Sequence, residues 1–417
     1  MHAADMSSPQ RARPRRLVFV NRYFYPDVSA TSQILFDLTS RLARSGLDVH
    51  VVCSRQLYED SRANLPGRDS VEGIQVHRIR TARFGRARLA GRAIDYLSFY
   101  AACAGYLPRL LRRGDVLVAK TDPPLISVVA AAAARLRGAA LVNWLQDVFP
   151  EVASQLEVAP LPPWLYAALR RIRDGSLRAA HTNVALGLGM RDFLIGRRIA
   201  EERIRVIENW ADQDAIRTMP AQASELRRSL GLQDRFVVGY SGNLGRAHDY
   251  RTILDAASAL APNPRIVFLM VGGGANMTRL KEEAGSRQLT NLLFLPYQPR
   301  ASLSDSLAAA DIHLACLLPE LEGLIVPSKF YGILAVERPV VYIGKPDGEL
   351  AGIIGTAGCG AVVSCGDGAA LAETLLKLQA DPAKARAMGL RARKLFVETY
   401  TVDRATSQWL DLLREIG

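Results

Sequence analysis

Short runs of apolar, β-branched residues alternate along this chain with longer stretches in which apolar positions recur every three or four residues. That alternation predicts parallel strands covered by helices on both faces. Residues 17–21 predict a first strand. Ile34, Leu35, Leu38 and Leu42 share one face of a helix predicted over 32–45, which Gly46 closes. Further strands are predicted at 49–53, 116–119, 140–144 and 182–185, with 204–210 as the last of this half. The polar stretch 212–224 reads as a linker. A second series follows, with strands at 236–240, 266–271, 292–294, 312–315 and 340–343. Its helices are predicted at 250–260, 277–286, 303–309, after Pro327, and at 369–378. The pattern therefore predicts an α/β chain of two doubly wound, Rossmann-like domains, residues 15–211 and 212–402, with a helix in 403–417 able to pack back on the first. Two such sheets place ligands at the carboxyl ends of their strands, facing each other across a cleft.

Composition narrows the class. The 417 residues are 49% hydrophobic and 23% charged, which suits a globular chain with room for two domains. Cys53, Cys103, Cys316, Cys359 and Cys365 are scattered without a Cys-x-x-Cys pair, arguing against a disulfide framework or zinc site and for a reducing compartment. The polar, Arg-rich start leads into an apolar run at 17–21 that is too short for a signal-peptide core. The longest weakly polar run, 123–134, stops at Arg135, short of the roughly 20 residues a bilayer requires, so no spanning segment is expected. The net charge of +12 is concentrated. Arg78, Arg80, Arg83, Arg86, Arg88, Arg92, Arg109, Arg112 and Arg113 enclose one acid, Asp95, among Tyr96, Phe99, Tyr100 and Tyr106; residues 162–173 repeat the mixture around Trp164, Arg170, Arg171 and Arg173. Such stretches fit an anionic membrane, a nucleic acid or a solvated face. No nucleic-acid motif accompanies them.

Candidate chemistry lies in the strand-to-helix loops. In 319–332, Pro327 suits the first turn of a helix, which places Ser328 and Lys329 where amides and the helix dipole favour an anion. Glu320 and Glu322 are placed to accept hydrogen bonds from sugar hydroxyls, or simply to sit in a solvated loop. Gly242 and Gly245 allow close approach to a phosphate that Arg246 can grip. Gly272 and Gly273 form a second such loop, and Pro296 and Tyr297 a third, suited to a base. Phosphate and polyol together suggest a nucleotide sugar. In the first half Ser29, Ala30 and Thr31 open a helix, Asp122 follows one strand, and Gln146 and Asp147 follow another. Asp147 is the best-placed acid to hold or deprotonate an acceptor hydroxyl, with a helix N-cap as its alternative role. Asp212-Gln213-Asp214 is the single Asp-x-Asp and lies in the linker, so no metal site is expected.

These residues carry a resemblance. Tyr25-Pro26-Asp27 with Ala30-Thr31, the run 144–151, the run 240–245, Pro296 to Pro299 and Glu320 to Gly332 resemble the GT-B glycosyltransferases of family 4, most closely the WbuB-like enzymes of bacterial surface-polysaccharide assembly, over nearly the whole chain. The resemblance implies a retaining transferase with a nucleotide sugar, usually UDP-linked, in the second domain. Gly242, Asn243, Gly245, Arg246, Gly272, Gly273, Pro296, Tyr297, Glu322, Gly323, Pro327, Ser328 and Lys329 would hold that donor. Ser29, Ala30, Thr31, Asp122, Gln146 and Asp147 would hold the acceptor, and Asp147, Glu320 and Glu322 are the catalytic candidates. Three departures stand out. Asn243 and His248 occupy the positions where the broader family has an Arg and a Lys, its two glutamates would fall on Leu324 and Gly332, and its loop His is replaced within Gln146-Asp147. The expected reaction is metal-independent, without a cofactor. Its expected partners are a UDP-sugar, a polyprenyl diphosphate-linked saccharide and an anionic membrane surface, with no nucleic acid, on the inner face of the cytoplasmic membrane. An epimerase or hydrolase of nucleotide sugars, or a non-enzymatic basic binding protein, are the alternatives.

Overall fold

A computed structural model describes residues 16–85, 89–158 and 161–417. Arg86 and Arg88 of the basic stretch, like residues 1–15, lie outside it. The first domain contains strands β1 (Leu17–Val20), β2 (Val49–Ser54), β3 (Arg68–Val71), β4 (Ile74–Ile79), β5 (Val116–Lys120), β6 (Ala140–Trp144), β7 (Thr182–Ala185) and β8 (Ile204–Val206). They form one sheet in the order β3-β4-β2-β1-β5-β6-β7-β8. The second domain contains β9 (Phe236–Asn243), β10 (Ile266–Gly273), β11 (Leu292–Leu295), β12 (Ile312–Cys316), β13 (Val340–Gly344) and β14 (Gly360–Ser364), ordered β11-β10-β9-β12-β13-β14. Each order reverses beside the first strand of its sheet. This is the doubly wound switch point, where loops on the two sides diverge and leave a crevice.

The central strands β1, β5, β12 and β13 are buried along their whole length, as parallel strands roofed on both faces must be. Strand pairing is parallel throughout except for β3 and β4, an antiparallel hairpin joined by Glu72 and Gly73, both at positive φ. That hairpin was not anticipated, because β3 is short and polar. The strand expected to run to Trp210 ends at Val206. Asn209 turns away to exchange hydrogen bonds with Gln146, at 3.2 and 3.3 Å, and Trp210 stacks on Trp144 with centroids 5.8 Å apart.

The last helix, Val402–Ile416, packs against the first sheet. Its Trp409 is fully buried, 5.0 Å from the Trp144 ring and 6.5 Å from that of Phe19. Among the described residues no helix is long and apolar enough to cross a membrane.

The basic stretches divide on folding. Arg78 is buried and bonds Asp69 at 2.9 Å, and Arg173 is buried between Glu151 at 2.8 Å and Asp174 at 2.7 Å. Asp95, the lone acid, is buried against Arg22 at 3.1 Å and accepts the Phe84 and Gly85 amides. These three side chains stabilise the fold and do not belong to a charged face. Arg80, Arg83, Arg109, Arg112, Arg113 and Arg171 remain exposed, beside Phe84, Leu89, Leu97 and Trp164.

Removing the Trp409 ring should therefore strip the first sheet of its cover. Trp409→Ala is expected to cost about 3–5 kcal/mol in chemical denaturation, with the loss in the transition that reports Trp144.

Candidate active site

On the second-domain side, the loops after β9 and β10 lie against each other. Strand pairing continues to Asn243 and Gly273, Leu244 N–H donates to Gly273 O at 2.7 Å, and Asn276 N–H donates to Leu244 O at 2.9 Å. A Cβ at Gly272 would meet Gly242 O at 2.2 Å, and one at Gly274 would meet Leu244 O at 2.6 Å; both residues have positive φ. The glycines are there because any side chain would push the two loops apart.

Lys329 opens the helix Lys329–Ala335, but its chain turns inward along Gly242. Its Nζ lies 5.2 Å from the centre of the Tyr240 ring and 3.1 Å from His248 Nε2. His248 Nδ1 is 3.3 Å from Gly245 O, which assigns the ring proton to Nδ1 and leaves Nε2 to accept from the ammonium. Burial, then the neighbouring ammonium, pushes His248 down to about 3, so the imidazole is neutral. Burial pushes Lys329 down to about 8, which leaves it charged at neutral pH. The sequence placed His248 where the broader family has a cation. The fold uses it as a neutral bracket for one.

Asn243, Arg246, Pro296 and Ser328 are exposed, and Gly245 is partly covered. Tyr297 is 58% exposed and packs on Gly273, and burial raises its phenol pKa, with Glu59 of the first domain adding to the rise. Pro327, buried, sits just before the Lys329 helix.

Of the two glutamates, Glu322 is engaged by the protein itself. Glu322 Oε1 accepts the Glu349 N–H at 2.7 Å and so caps the helix Glu349–Ala357. Glu349 in turn accepts the Leu188 and Gly189 amides, at 2.6 and 2.9 Å, at the start of the first-domain helix Leu188–Gly196. The expected sugar contact is thus engaged in a relay of caps that bridges the domains, with Gly323 against Gly189. Burial raises the Glu322 carboxyl pKa, opposed by the Glu349 amide. Glu320 projects into solvent from a 3-10 turn at Pro319–Leu321.

On the first-domain side a crevice of about 370 Å³ opens at the ends of β5 and β6, with Lys120, Ser127, Asn143, Asp147 and Phe149 among its lining residues. Water reaches the Asp147 side chain. The protein packed around its carboxyl nonetheless pushes it up to about 6; Asp122 adds to the rise and Lys120 opposes it. Lys120 is 1% exposed and donates to Thr31 O at 2.9 Å, with its Nζ 4.0 Å from the centre of the Trp144 ring. Asp122 is partly buried on the following loop, and Ala30 is exposed. Ser29 and its hydroxyl both turn back to Asp27. Gln146, expected to face the acceptor, is buried and spends its amide on Asn209. Asp147 does not cap a helix; the helix after it starts at Glu151 behind Pro150.

The two sides touch at this point. Val148 N–H donates to Leu324 O at 3.0 Å, and Asp147 pairs as an isolated antiparallel bridge with Ile325. The loop bearing Asp147 therefore abuts the loop leading to Ser328 and Lys329. Among the described residues no group of three His, Cys, Asp or Glu side chains converges to hold a metal ion.

Comparison with known proteins accounts for this architecture. Residues 30–210 match the family described as Glycosyl transferase 4-like domain, and residues 222–395 match Glycosyl transferases group 1. The structure of Anabaena Alr3699/HepE in complex with UDP superposes with a TM-score of 0.72 at 16% identity, over 96% of this chain and all of that one. The chain has the GT-B fold, and each of its two domains matches a glycosyltransferase family model. Among curated relatives, the probable glycosyltransferase WbjE of Pseudomonas aeruginosa is 29% identical over 250 residues, covering 60% of this chain and 62% of that protein. The putative colanic acid biosynthesis glycosyl transferase WcaI of Escherichia coli K12 is 28% identical over 223 residues, covering 52% and 54%. The chain thus spans between half and two thirds of the length of these relatives.

Two groups in this GT-B cleft escaped sequence reasoning. Lys120 left a signal, a lysine closing an otherwise apolar strand. Glu349 left none, because its partners are backbone amides 160 residues away. If Glu322 and Glu349 act as caps, Glu322→Ala and Glu349→Ala should each lower stability by about 1–2 kcal/mol, measured by urea denaturation. A Glu322→Ala protein as stable as wild type would return that carboxylate to the ligand side.

Proposed function

We propose that this chain is a retaining glycosyltransferase that moves a sugar from a UDP-sugar to a lipid-linked saccharide in surface-polysaccharide assembly. The observation that carries the reading is the abutment of the Asp147 loop and the loop to Lys329, which brings a cation bracket and a carboxyl to one cleft. WcaI, named for colanic acid biosynthesis, supports the polysaccharide context, and the UDP held by the HepE structure supports the donor class.

In this reading the donor diphosphate lies against the stacked glycine loops, its oxygens meeting the Lys329 ammonium, the Ser328 hydroxyl and Arg246. The bond from the anomeric carbon to the phosphate oxygen breaks, and the diphosphate leaves with the electron pair. Charge on it grows as the bond lengthens, so Lys329 stabilises the transition state more than the ground state. The acceptor oxygen bonds to the anomeric carbon, and its proton passes to Asp147 or to the departing phosphate. A carboxyl held near 6 is ionised at neutral pH and close enough to it to take a proton. Glu322 lines another crevice with Glu208 and Glu349, and its carboxylate is engaged by the Glu349 amide. The lipid end of the acceptor would lie along the exposed Arg80, Arg83, Arg109 and Arg171 beside Phe84, Leu97 and Trp164, with the protein on the inner face of the cytoplasmic membrane.

Lys329→Met should weaken UDP binding about tenfold or more, as loss of a charge-assisted hydrogen bond implies, measured by calorimetry on a protein of unchanged circular dichroism. The sign of the pH dependence follows from the lowered lysine. Its proton is present below about 8 and lost above, so wild-type affinity for UDP should hold to that point and then fall, with proton uptake on binding. Asp147→Asn should depress transfer by about 10²–10⁴-fold while sparing UDP affinity; equal loss of both would make the residue structural. Pelleting with anionic liposomes at low salt, weakened in Arg170→Ser/Arg171→Ser and reversed by high salt, tests the membrane part. Arg173 is left intact in that test because it is buried in ion pairs.

A further inference from the structure

Lys120 closes β5 on the face that Val116 and Val118 bury in the core of the first domain. A lysine in such a place is costly unless its charge is used, because desolvation favours the neutral amine. Its ammonium rests on a helix carbonyl and an aromatic face, contacts that tolerate a cation without neutralising it. Arg173, the other cation lining the crevice, is taken up by Glu151 and Asp174. Lys120 is thus the cation of that crevice left to act on Asp147.

We propose that Lys120 is a positioning residue for the acceptor side: held between the Thr31 carbonyl and the Trp144 face, it presents its charge to the crevice that Asp147 also lines and favours the ionised Asp147 carboxylate there. The role in transfer rests on reading Asp147 as the group that meets the acceptor hydroxyl. The groups acting on Lys120 are the carboxylates of Asp122, Asp37 and Asp147, which favour its charge, and burial, which outweighs them and leaves it near 7. Those acting on Asp147 are the protein packed around its carboxyl and Asp122, which raise it, and Lys120, which lowers it. Each charge therefore favours the other. The contact with Thr31 O gives the device a second link, since Thr31 lies in the first turn of the helix Ala30–Arg44, beside the expected acceptor residues Ser29 and Ala30.

Carbon-13 NMR of aspartate-labelled protein, with Asp147 assigned through Asp147→Asn, reads the carboxyl directly. Lys120→Met should raise its midpoint by about one unit or more, Lys120→Arg should keep it near the wild-type value, and Asp122→Asn should lower it. An unmoved midpoint in folded Lys120→Met overturns the proposal. Should that variant not fold, the reciprocal measurement decides: the Lys120 amine, followed by carbon-13 NMR of labelled lysine, should titrate lower in Asp147→Asn, and an unchanged amine overturns the coupling. The acid limb of the transfer rate separates the two readings. A limb that follows the Asp147 midpoint across these variants supports the role in transfer. A limb that ignores midpoints that do move leaves the coupling standing and removes Asp147, and with it Lys120, from the reaction.

Discussion

The cleft depends on how two crossing segments of chain are fastened. The chain passes from the first domain to the second near Ala211 and returns near Tyr400, and these crossings lie side by side, with Ala211 N–H donating to Tyr400 O at 3.1 Å. Arg41, on the first-domain helix, reaches Asp212 at 3.4 Å, Asp214 at 3.1 Å and Asp403 at 3.0 Å, so one guanidinium gathers both crossings. A planar cation with fixed donors is suited to that task, and several carboxylates around it bind with more geometric definition than one exposed pair. Arg300, just past the Tyr297 loop, adds a bond to Asp37 on the same helix at 2.9 Å. Every cross-cleft contact described here presupposes this fastening.

The hydrogen bonds across the cleft itself include backbone pairing. Val148 meets Leu324, Asp147 pairs with Ile325, and Glu349 takes two amides of the opposite domain. Behind these contacts one buried apolar cluster runs from Val148, Leu186 and Met190 of the first domain to Leu317, Leu321, Leu324 and Phe330 of the second, so the seam is packed as well as hydrogen-bonded.

Both sides of the cleft solve one electrostatic problem alike. A lysine is drawn off the surface, its proton made easier to lose, and its position fixed by an uncharged partner: His248 for Lys329, Thr31 O and the Trp144 ring for Lys120. A cation held this way keeps unspent attraction for an anion, where a salt-bridged one would not. Arg173, Arg22 and Arg78 show the contrast, since each is buried against a carboxylate and serves the fold.

The sequence by itself determined the two doubly wound sheets, most of their strands, and the loops that carry the chemistry. Each of these follows from local period and from glycine or proline at a turn, which neighbours along the chain dictate. The hairpin at Arg68–Ile79 was missed because Arg68–Val71 is polar and carries no such period, which left the alternating Ile74–Ile79 without a visible partner. Tertiary structure alone decided which charged groups act. Glu322 and Gln146 looked like ligand contacts, yet partners distant in sequence, the Glu349 amide and Asn209, claimed them. Lys120 looked like a strand end and became a buried cation facing the crevice of Asp147. Hydrogen-bond partners and desolvation depend on what packing brings within a few ångströms, and residue order does not encode that distance.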